Sequence, residues 1–258
     1  LIFHLQKQYF DGIDSNGNTF ILYYAQLKLL NIPIHYSSKI IASESYLSEK
    51  STLRKTIVPR ENRQFQNDRL NCKLTYQNQK DFPPIEEILW EEKDKYIKWK
   101  VFLPHAIFQF TNEDETWKGL GYSETLELNF VPWKLPISTL KWGRFLSENH
   151  SVIWVEWLGK FPLQKVYVNG QILNEKTIIT ESGIQIPTED ISIQFLNPES
   201  LKNEKLQKIA NRYPFLNLFF YKRFLESKEM KFKSKSIIQT QNSTENGYSL
   251  YEIVEWKK

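Results

Sequence analysis

From one end to the other this chain alternates apolar and polar residues with a period of two. Thr125-Leu126-Glu127-Leu128-Asn129-Phe130 is the cleanest run. Tyr96 to Phe102, Gly183 to Ile186, Ile191 to Phe195 and Glu229 to Lys233 repeat the pattern. Successive side chains of a strand point to opposite faces, so such alternation is the mark of half-buried β-strands rather than helices. Turn-forming clusters separate the runs: Asp14-Ser15-Asn16-Gly17-Asn18, Asn112-Glu113-Asp114-Glu115, Ser147-Glu148-Asn149, Asn169-Gly170 and Glu245-Asn246-Gly247. The Asn-Gly pairs at 169–170 and 246–247 are hairpin signals, because both residues accept the positive φ that tight turns need. Many short strands at hairpin spacing, without alternating helices, predict an all-β fold, either a sandwich or an up-and-down barrel.

The strand pattern breaks at Pro132, Trp133 and Pro136, since proline cannot donate to a ladder. With 258 residues to distribute, this places two domains at 1–135 and 136–258, although no internal repeat is visible. One short helix is expected near 198–213: Asn197 caps it, Pro198 takes its first position, and Pro214 ends it. Leu201, Leu206, Ile209 and Tyr213 give that segment an apolar face. The run Phe215 to Tyr221, flanked by Lys222 and Arg223, is shorter than the roughly 18 residues a membrane span requires. It is expected to pack over a barrel mouth, with peripheral membrane contact as the alternative.

Charge excludes some partners. The 34 basic and 30 acidic residues are spread along the chain, without the clustered basic face that nucleic acid selects. Cys72 is the single cysteine, so no intramolecular disulfide or cysteine metal cluster can form. No glycine-rich phosphate loop, nucleophile elbow or zinc signature is present, and no cofactor or metal is expected. The four histidines lack metal-ligand spacing. The chain begins at Leu1, which leaves room for an upstream signal peptide or lipid anchor; otherwise the cytoplasm is the expected compartment.

Aromatic residues point to a site. Seven of the eight tryptophans lie between Trp90 and Trp157, which predicts a large core, a pocket wall, or both. Between Gly121 and Phe130 the even positions form the apolar face, so Glu124 is expected to point inward beside Tyr122. A buried carboxylate must be paired, hydrogen-bonded or protonated. Arg144 shares a face with Trp142 and Leu146, and Glu156 shares one with Val152 and Trp154. Glu124, Arg144 and Glu156 therefore form either a structural ion-pair network or the polar base of a pocket. In the second case Glu124 and Glu156 are the candidate acid–base residues. Tyr122, Trp142, Arg144, Trp154 and His105, the last between two strand-like runs, are the candidate ligand contacts.

Gly119-Leu120-Gly121-Tyr122-Ser123-Glu124, Trp133, Leu135-Pro136 and Leu140-Lys141-Trp142-Gly143-Arg144-Phe145 together resemble the central signature of the hydroxyneurosporene synthase (carotenoid 1,2-hydratase) and AttH-like group. Gln8-Tyr9-Phe10-Asp11, followed by the strand from Asn18 to Leu29, is also similar to how such chains begin. The resemblance implies two tandem lipocalin-like (calycin) β-barrel domains, and family members include hydratases and cyclases. Tyr122, Trp142, Gly143 and Arg144 carry over by position, whereas the hydratases' Tyr-Asp-His-Asn-like run is here Tyr122-Ser123-Glu124-Thr125. The reading is a protein that binds a hydrophobic small molecule, lipid-, isoprenoid- or polyene-like, in an aromatic-lined pocket. An eight-stranded barrel holds about one such ligand. The alternatives are a cofactor-independent hydratase, lyase or cyclase working by carboxylate acid–base chemistry, and a non-catalytic structural or interaction protein.

Overall fold

The computed structural model describes residues 3–29, 32–55, 62–113, 115–135, 137–174, 176–214 and 222–257. The chain separates into two compact units, Leu1–Val131 and Pro132–Lys258. Unit 1 contains β1 (Phe3–Asp14), β2 (Thr19–Leu29), β3 (Ile32–Ala42), β4 (Leu47–Thr52) and β5 (Gln64–Asn67). It continues with β6 (Cys72–Asn78), β7 (Ile85–Glu92), β8 (Lys95–Asn112) and β9 (Glu115–Leu128). Unit 2 contains β10 (Ile137–Ser147), β11 (Ser151–Gly159), β12 (Leu163–Val168), β13 (Gln171–Leu173) and β14 (Ile178–Ile179). After these come β15 (Gly183–Ile186), β16 (Ile191–Lys205), α1 (Gln207–Arg212), α2 (Lys222–Leu225), β17 (Lys228–Gln239) and β18 (Thr244–Glu255).

Each unit is one curled antiparallel sheet. The order in unit 1 is β4-β3-β2-β1-β9-β8-β6-β5, with β7 also paired to β8; in unit 2 it is β13-β12-β11-β10-β18-β17-β16-β15-β14. In both, the first strand has its hairpin partner on one side and the last strand of the unit on the other. A meander whose first and last strands pair is the lipocalin-like barrel plan, and it occurs twice here without a visible sequence repeat. Phe10, Phe20, Phe65, Leu74, Phe108 and Phe110 centre the core of unit 1. Phe145, Trp154, Ile184, Phe195, Ile238 and Tyr251 centre that of unit 2.

Local chemistry explains most boundaries. Asp14 accepts hydrogen bonds from the backbone of Asn16 and Asn18 in the β1–β2 turn, where Gly17 has φ 82°. Asn169 and Gly170, at φ 53° and 79°, make the predicted turn between β12 and β13. The other Asn-Gly pair does not turn. The β17–β18 hairpin turns just before Thr244, and Gly247 lies inside β18. A Cβ there would sit 2.3 Å from the carbonyl oxygen of Leu146, so this glycine admits a close neighbouring strand.

The predicted helix is shorter than its window. Asn197 has φ 49° and lies with Pro198 in a bulge of β16, not at a helix N-terminus; only Gln207–Arg212 is helical. Proline is tolerated at the bulge because this part of β16 pairs with β17 alone. The segment from Phe215 to Tyr221 lies outside the described residues. Among the described residues no helix is long and apolar enough to cross a membrane.

Candidate functional site

Antiparallel neighbours directly opposite each other share a face, so the register sorts the side chains of β1, β8 and β9 into two sets. Phe10, Phe20 and Phe108 face the core of unit 1. On the opposite face Glu124 lies between Tyr9 of β1 and Val101 of β8, while Tyr122 lies opposite Asp11. Glu124 is therefore buried, as expected, yet on the side away from the barrel core. The alternation rule identified an apolar face correctly, but β9 is buried on both faces from Gly121 to Thr125. Alternation cannot say which of two covered faces is the barrel interior.

Two neutral donors reach the Glu124 carboxylate within unit 1. The Trp99 indole donates to Oε2 at 2.5 Å and the Tyr122 hydroxyl donates to the same oxygen at 2.6 Å. Hydrogen bonds of this kind offset the large cost of burying a carboxylate. Tyr9 meets Tyr23 and Tyr122 edge to face, at centroid distances of 5.2 and 6.2 Å, and the Lys7 ammonium lies 4.5 Å over the Tyr23 ring. Asp11 is fully buried on this same face. Two carboxylates thus flank Tyr122, one across the ladder and one two residues along its strand. Sequence reasoning missed Asp11 and Trp99 as site residues. Both fall in runs that show them as strand positions, but only the register brings them to Glu124.

The glycines of the central motif have a geometric cause. A Cβ at Gly119 would lie 2.2 Å from the carbonyl oxygen of Ile13, and one at Gly121 would lie 2.6 Å from that of Asp11. From the core side the Tyr76 hydroxyl reaches the carbonyls of Asp11 and Tyr122 at 2.7 and 2.9 Å. Glycine therefore lets β1 approach β9 closely, which fixes Asp11 against Tyr122. Gly119→Ala is expected to lower stability by about 2–3 kcal/mol, since the obstruction is backbone and cannot rotate away. Urea denaturation would measure it, and a midpoint equal to wild type would show the strands can part without cost.

Arg144, Glu156, Trp142 and Trp154 belong to unit 2, and His105 belongs to β8 of unit 1. Arg144 and Glu156, both in unit 2, sit on opposite faces of their sheet: Arg144 is opposite Ile153, and Glu156 is opposite Lys141. Arg144 is fully buried and donates from Nη1 to the carbonyl of Tyr248 at 3.0 Å. Glu156 pairs with Lys141 at 2.9 Å and accepts from the Gln164 amide at 2.7 Å. Arg144 and Glu156 therefore do not form a pair with each other. Trp142 shares the Arg144 face and is half-buried. Trp154 is a core side chain stacked on Phe195 at 5.9 Å. Trp117 likewise belongs to the core of unit 1, so the crowded tryptophans are divided between two cores and their flanks. His105 is buried in a bulge of β8, where its ring meets Phe82 edge-on at 5.6 Å. Bulges often re-aim side chains near sites, and here the bulge turns the ring onto an aromatic neighbour.

Two further histidine–glutamate pairs were not singled out by the sequence. His4 Nε2 and the Tyr96 hydroxyl both reach Glu127 Oε1, at 3.1 and 2.6 Å. Burial pushes the Glu127 carboxyl up, but these two hydrogen bonds outweigh it and hold the group below its ordinary range. The bond to Glu127 pushes the Tyr96 phenol up to about 12. In unit 2, the Ser147 hydroxyl donates to Glu245 Oε2 at 2.7 Å, and His150 Nδ1 lies 3.2 Å from Glu245 Oε1. There the carboxylate, not the imidazole, holds the serine, which is not the arrangement of an activated nucleophile. Among the described residues no group of three or more histidine, cysteine or acidic side chains is placed to hold a metal. Two clefts on unit 1, of about 600 and 490 Å³, are lined among the described residues by polar side chains such as Gln66, Asp68 and Lys73, with no tryptophan among them.

No protein-family model matches this sequence, and no curated protein matches it. Solved structures do. CghA aligns over 99% of this chain and 89% of its own, with a TM-score of 0.60 at 8% identity, and a further structure of CghA contains Sch210972. The AttH-like protein NE1406 from Nitrosomonas europaea aligns over 99% of this chain and 94% of its own, also at 0.60 and 8%. Kievitone hydratase from Nectria haematococca aligns over 97% and 88%, at 0.50 and 10%. At such identities the likeness is one of fold: the chain has the tandem lipocalin-like architecture of the AttH-like proteins.

Proposed function

We propose that the chain binds a hydrophobic small molecule whose polar end is held by Glu124 and Tyr122. The observation that carries this reading is the Glu124 carboxylate. It is 8% exposed, bound by Trp99 and Tyr122, and set on a face built from Tyr9, Tyr23, Tyr122 and Trp99. Sites for small ligands combine apolar and aromatic walls with a few placed polar groups, and this face has that composition. Proteins of the same fold include one solved with Sch210972 and one named a hydratase, which supports a small-molecule role without specifying the molecule.

A second reading, acid–base catalysis of hydration, elimination or cyclisation, is favoured by one further observation: Asp11 is a second buried carboxylate beside Tyr122. A pair of carboxylates in different surroundings can divide the roles of acid and base. Aromatic faces of this kind also stabilise cationic intermediates.

Trp99 reports on both readings, because its indole touches the carboxylate. Titration with fatty acids or polyenes is expected to give a saturable change in tryptophan fluorescence that Glu124→Leu abolishes. No saturable change with any lipid class would overturn the binding reading. Glu124→Gln keeps an acceptor for Trp99 and Tyr122 but removes the charge and the exchangeable proton. Turnover of any substrate found is expected to fall by about 10²-fold or more in that variant. Unchanged turnover would remove Glu124 from the chemistry while leaving binding intact.

A further inference from the structure

Three buried side-chain oxygens of unit 1 lack a hydrogen-bond partner among the described residues: Gln8 Oε1, Asn62 Oδ1 and Ser123 Oγ. Asn62 is 1% exposed and Ser123 is fully buried. Buried polar atoms are nearly always satisfied, and one left bare costs free energy. Three in one neighbourhood therefore call for a cause.

Their neighbourhood is set by the register. Gln8 and Thr125 lie directly opposite each other in the β1–β9 ladder. The Asn62 amide donates from Nδ2 to Thr125 Oγ1 at 2.8 Å and to the Glu124 carbonyl at 3.3 Å, which leaves its Oδ1 as a bare acceptor. Ser123 is two positions along β9 on the same face, opposite Phe10 and Leu103 of the core. Opposite Cβ atoms are about 5 Å apart and alternate residues of a strand about 7 Å, so the three side chains surround Thr125 within the span of one small molecule.

This patch borders a polar end of the barrel. On the core side of the sheet one row runs Lys100-Thr125-Gln8-Tyr24-Ser37-Thr52, from β8 through β9, β1, β2 and β3 to β4. The next row on that side runs Lys98-Glu127-Gln6-Gln26-His35, from β8 to β3. Neither row contains an aliphatic residue. In the first row Thr125, Tyr24 and Ser37 are buried; in the second Lys98 and Gln26 are exposed, and Gln6, Glu127 and His35 are half-buried. The apolar core thus gives way to a polar end whose side chains become accessible row by row. The three bare oxygens sit where the two meet.

We propose that this end of unit 1 is a second binding site, on the opposite face of the sheet from Glu124, and that it takes a neutral polyhydroxylated molecule of the sugar or polyol class. Amide carbonyl oxygens accept only, so the ligand must bring N–H or O–H donors, and an anion is turned away. A cationic ligand is disfavoured as well. Lys98 and Lys100 stand on the two rows, whereas Glu127, the one acid on them, is already engaged by His4 and Tyr96. Hydroxyl groups meet all three requirements: they donate to Gln8 and Asn62 and take either role with Ser123. A sugar carries them on adjacent carbons, at the spacing that neighbouring side chains of a ladder present.

The test uses the full chain with D-glucose, sucrose and myo-inositol as probes in saturation-transfer NMR. At least one of the three is expected to receive saturable transfer, in the millimolar range that a few neutral hydrogen bonds support. Gln8→Met and Ser123→Ala are each expected to raise its Kd about three- to tenfold, the worth of one such bond. Ser123→Ala also removes a hydroxyl that makes no bond in the sugar-free protein, so its urea midpoint without sugar is expected to be no lower than that of wild type. A weaker Kd with an unchanged midpoint separates a binding role from a structural one. No saturable transfer to any of the three probes would overturn the proposal and leave the oxygens to ordered water. Transfer unchanged in both variants would overturn it too. Displacement of the sugar by excess fatty acid, a probe of the Glu124 face, would overturn the placement on the opposite face. Failure of the lipid titration alone would count against the Glu124 reading and leave this one standing.

Discussion

Lys231→Met is expected to cost about 3–5 kcal/mol of stability, because it removes the centre of a buried ion network and leaves the Glu252 carboxylate without its ammonium. Lys231 lies on β17 between Lys202 of β16 and Glu252 of β18 in the register, and its side chain is 3% exposed. Its ammonium bonds Glu229 at 2.7 Å and also Glu252, while Lys202 reaches Glu229 at 3.1 Å. In the variant Glu229 keeps Lys202, so Glu252 bears most of the loss. Urea denaturation at pH 7 measures the effect, and a change under about 1 kcal/mol would show that the network contributes no more than a surface pair. Removing both ends, as in Lys231→Met with Glu252→Leu, is expected to cost less than the single change.

The same network has a pH signature. Burial alone would lower the Lys231 pKa, but Glu229 and Glu252 outweigh it and raise the group above its ordinary value. A raised folded pKa means the stabilisation is fully present below the unfolded pKa of about 10.4 and is lost as pH rises through the folded one. Wild type is therefore expected to lose stability in strongly alkaline solution, and the Lys231→Met variant to lose less over that interval.

Trp154→Ala is the second large effect, at about 3–5 kcal/mol for truncating a core tryptophan. Trp154 is 1% exposed, stacks on Phe195, and lies over Gly143 so closely that a Cβ there would meet its ring at 2.4 and 2.7 Å. Tyr251 supplies the other contact at 2.6 Å. A coupling between the sites follows. Gly143→Ala is expected to be destabilising in wild type and less so beside Trp154→Ala, where only the Tyr251 contact remains. A double-mutant cycle reads this directly. Strict additivity would mean that the indole moves aside without cost.

These residues show what the sequence discloses and where it stops. Alternation and turn chemistry located strands such as Gly183–Ile186 and the Asn169-Gly170 hairpin, because a two-residue period and a positive φ are local properties. Gly143 and Gly247 look like any other strand interruption in one dimension. Their cause is a Trp154 ring and a Leu146 carbonyl on neighbouring strands. Glu124 was legible as buried from its neighbours in the chain, whereas Asp11 joined it only through pairing across the ladder. Arg144 and Glu156 looked like partners until register set them on opposite faces. Helix signals at Asn197 and Pro198 were overridden because a one-sided strand accepts proline at a bulge.

The pairing of first with last strand in each unit also orders events in time. β1 leaves the ribosome before the other strands of its unit, with β2 able to join it next, yet its other edge stays open until β9 is made, where Leu5 meets Leu128. β10 waits in the same way for β18, the final strand of the described chain. Contacts this distant in sequence slow folding, and an open edge on a central strand is a template for pairing with the wrong chain. Synthesis therefore passes through two intervals of exposure, each closed by the last strand of its unit. A pause in translation just before either of those strands prolongs the period in which a neighbouring nascent chain can take its place.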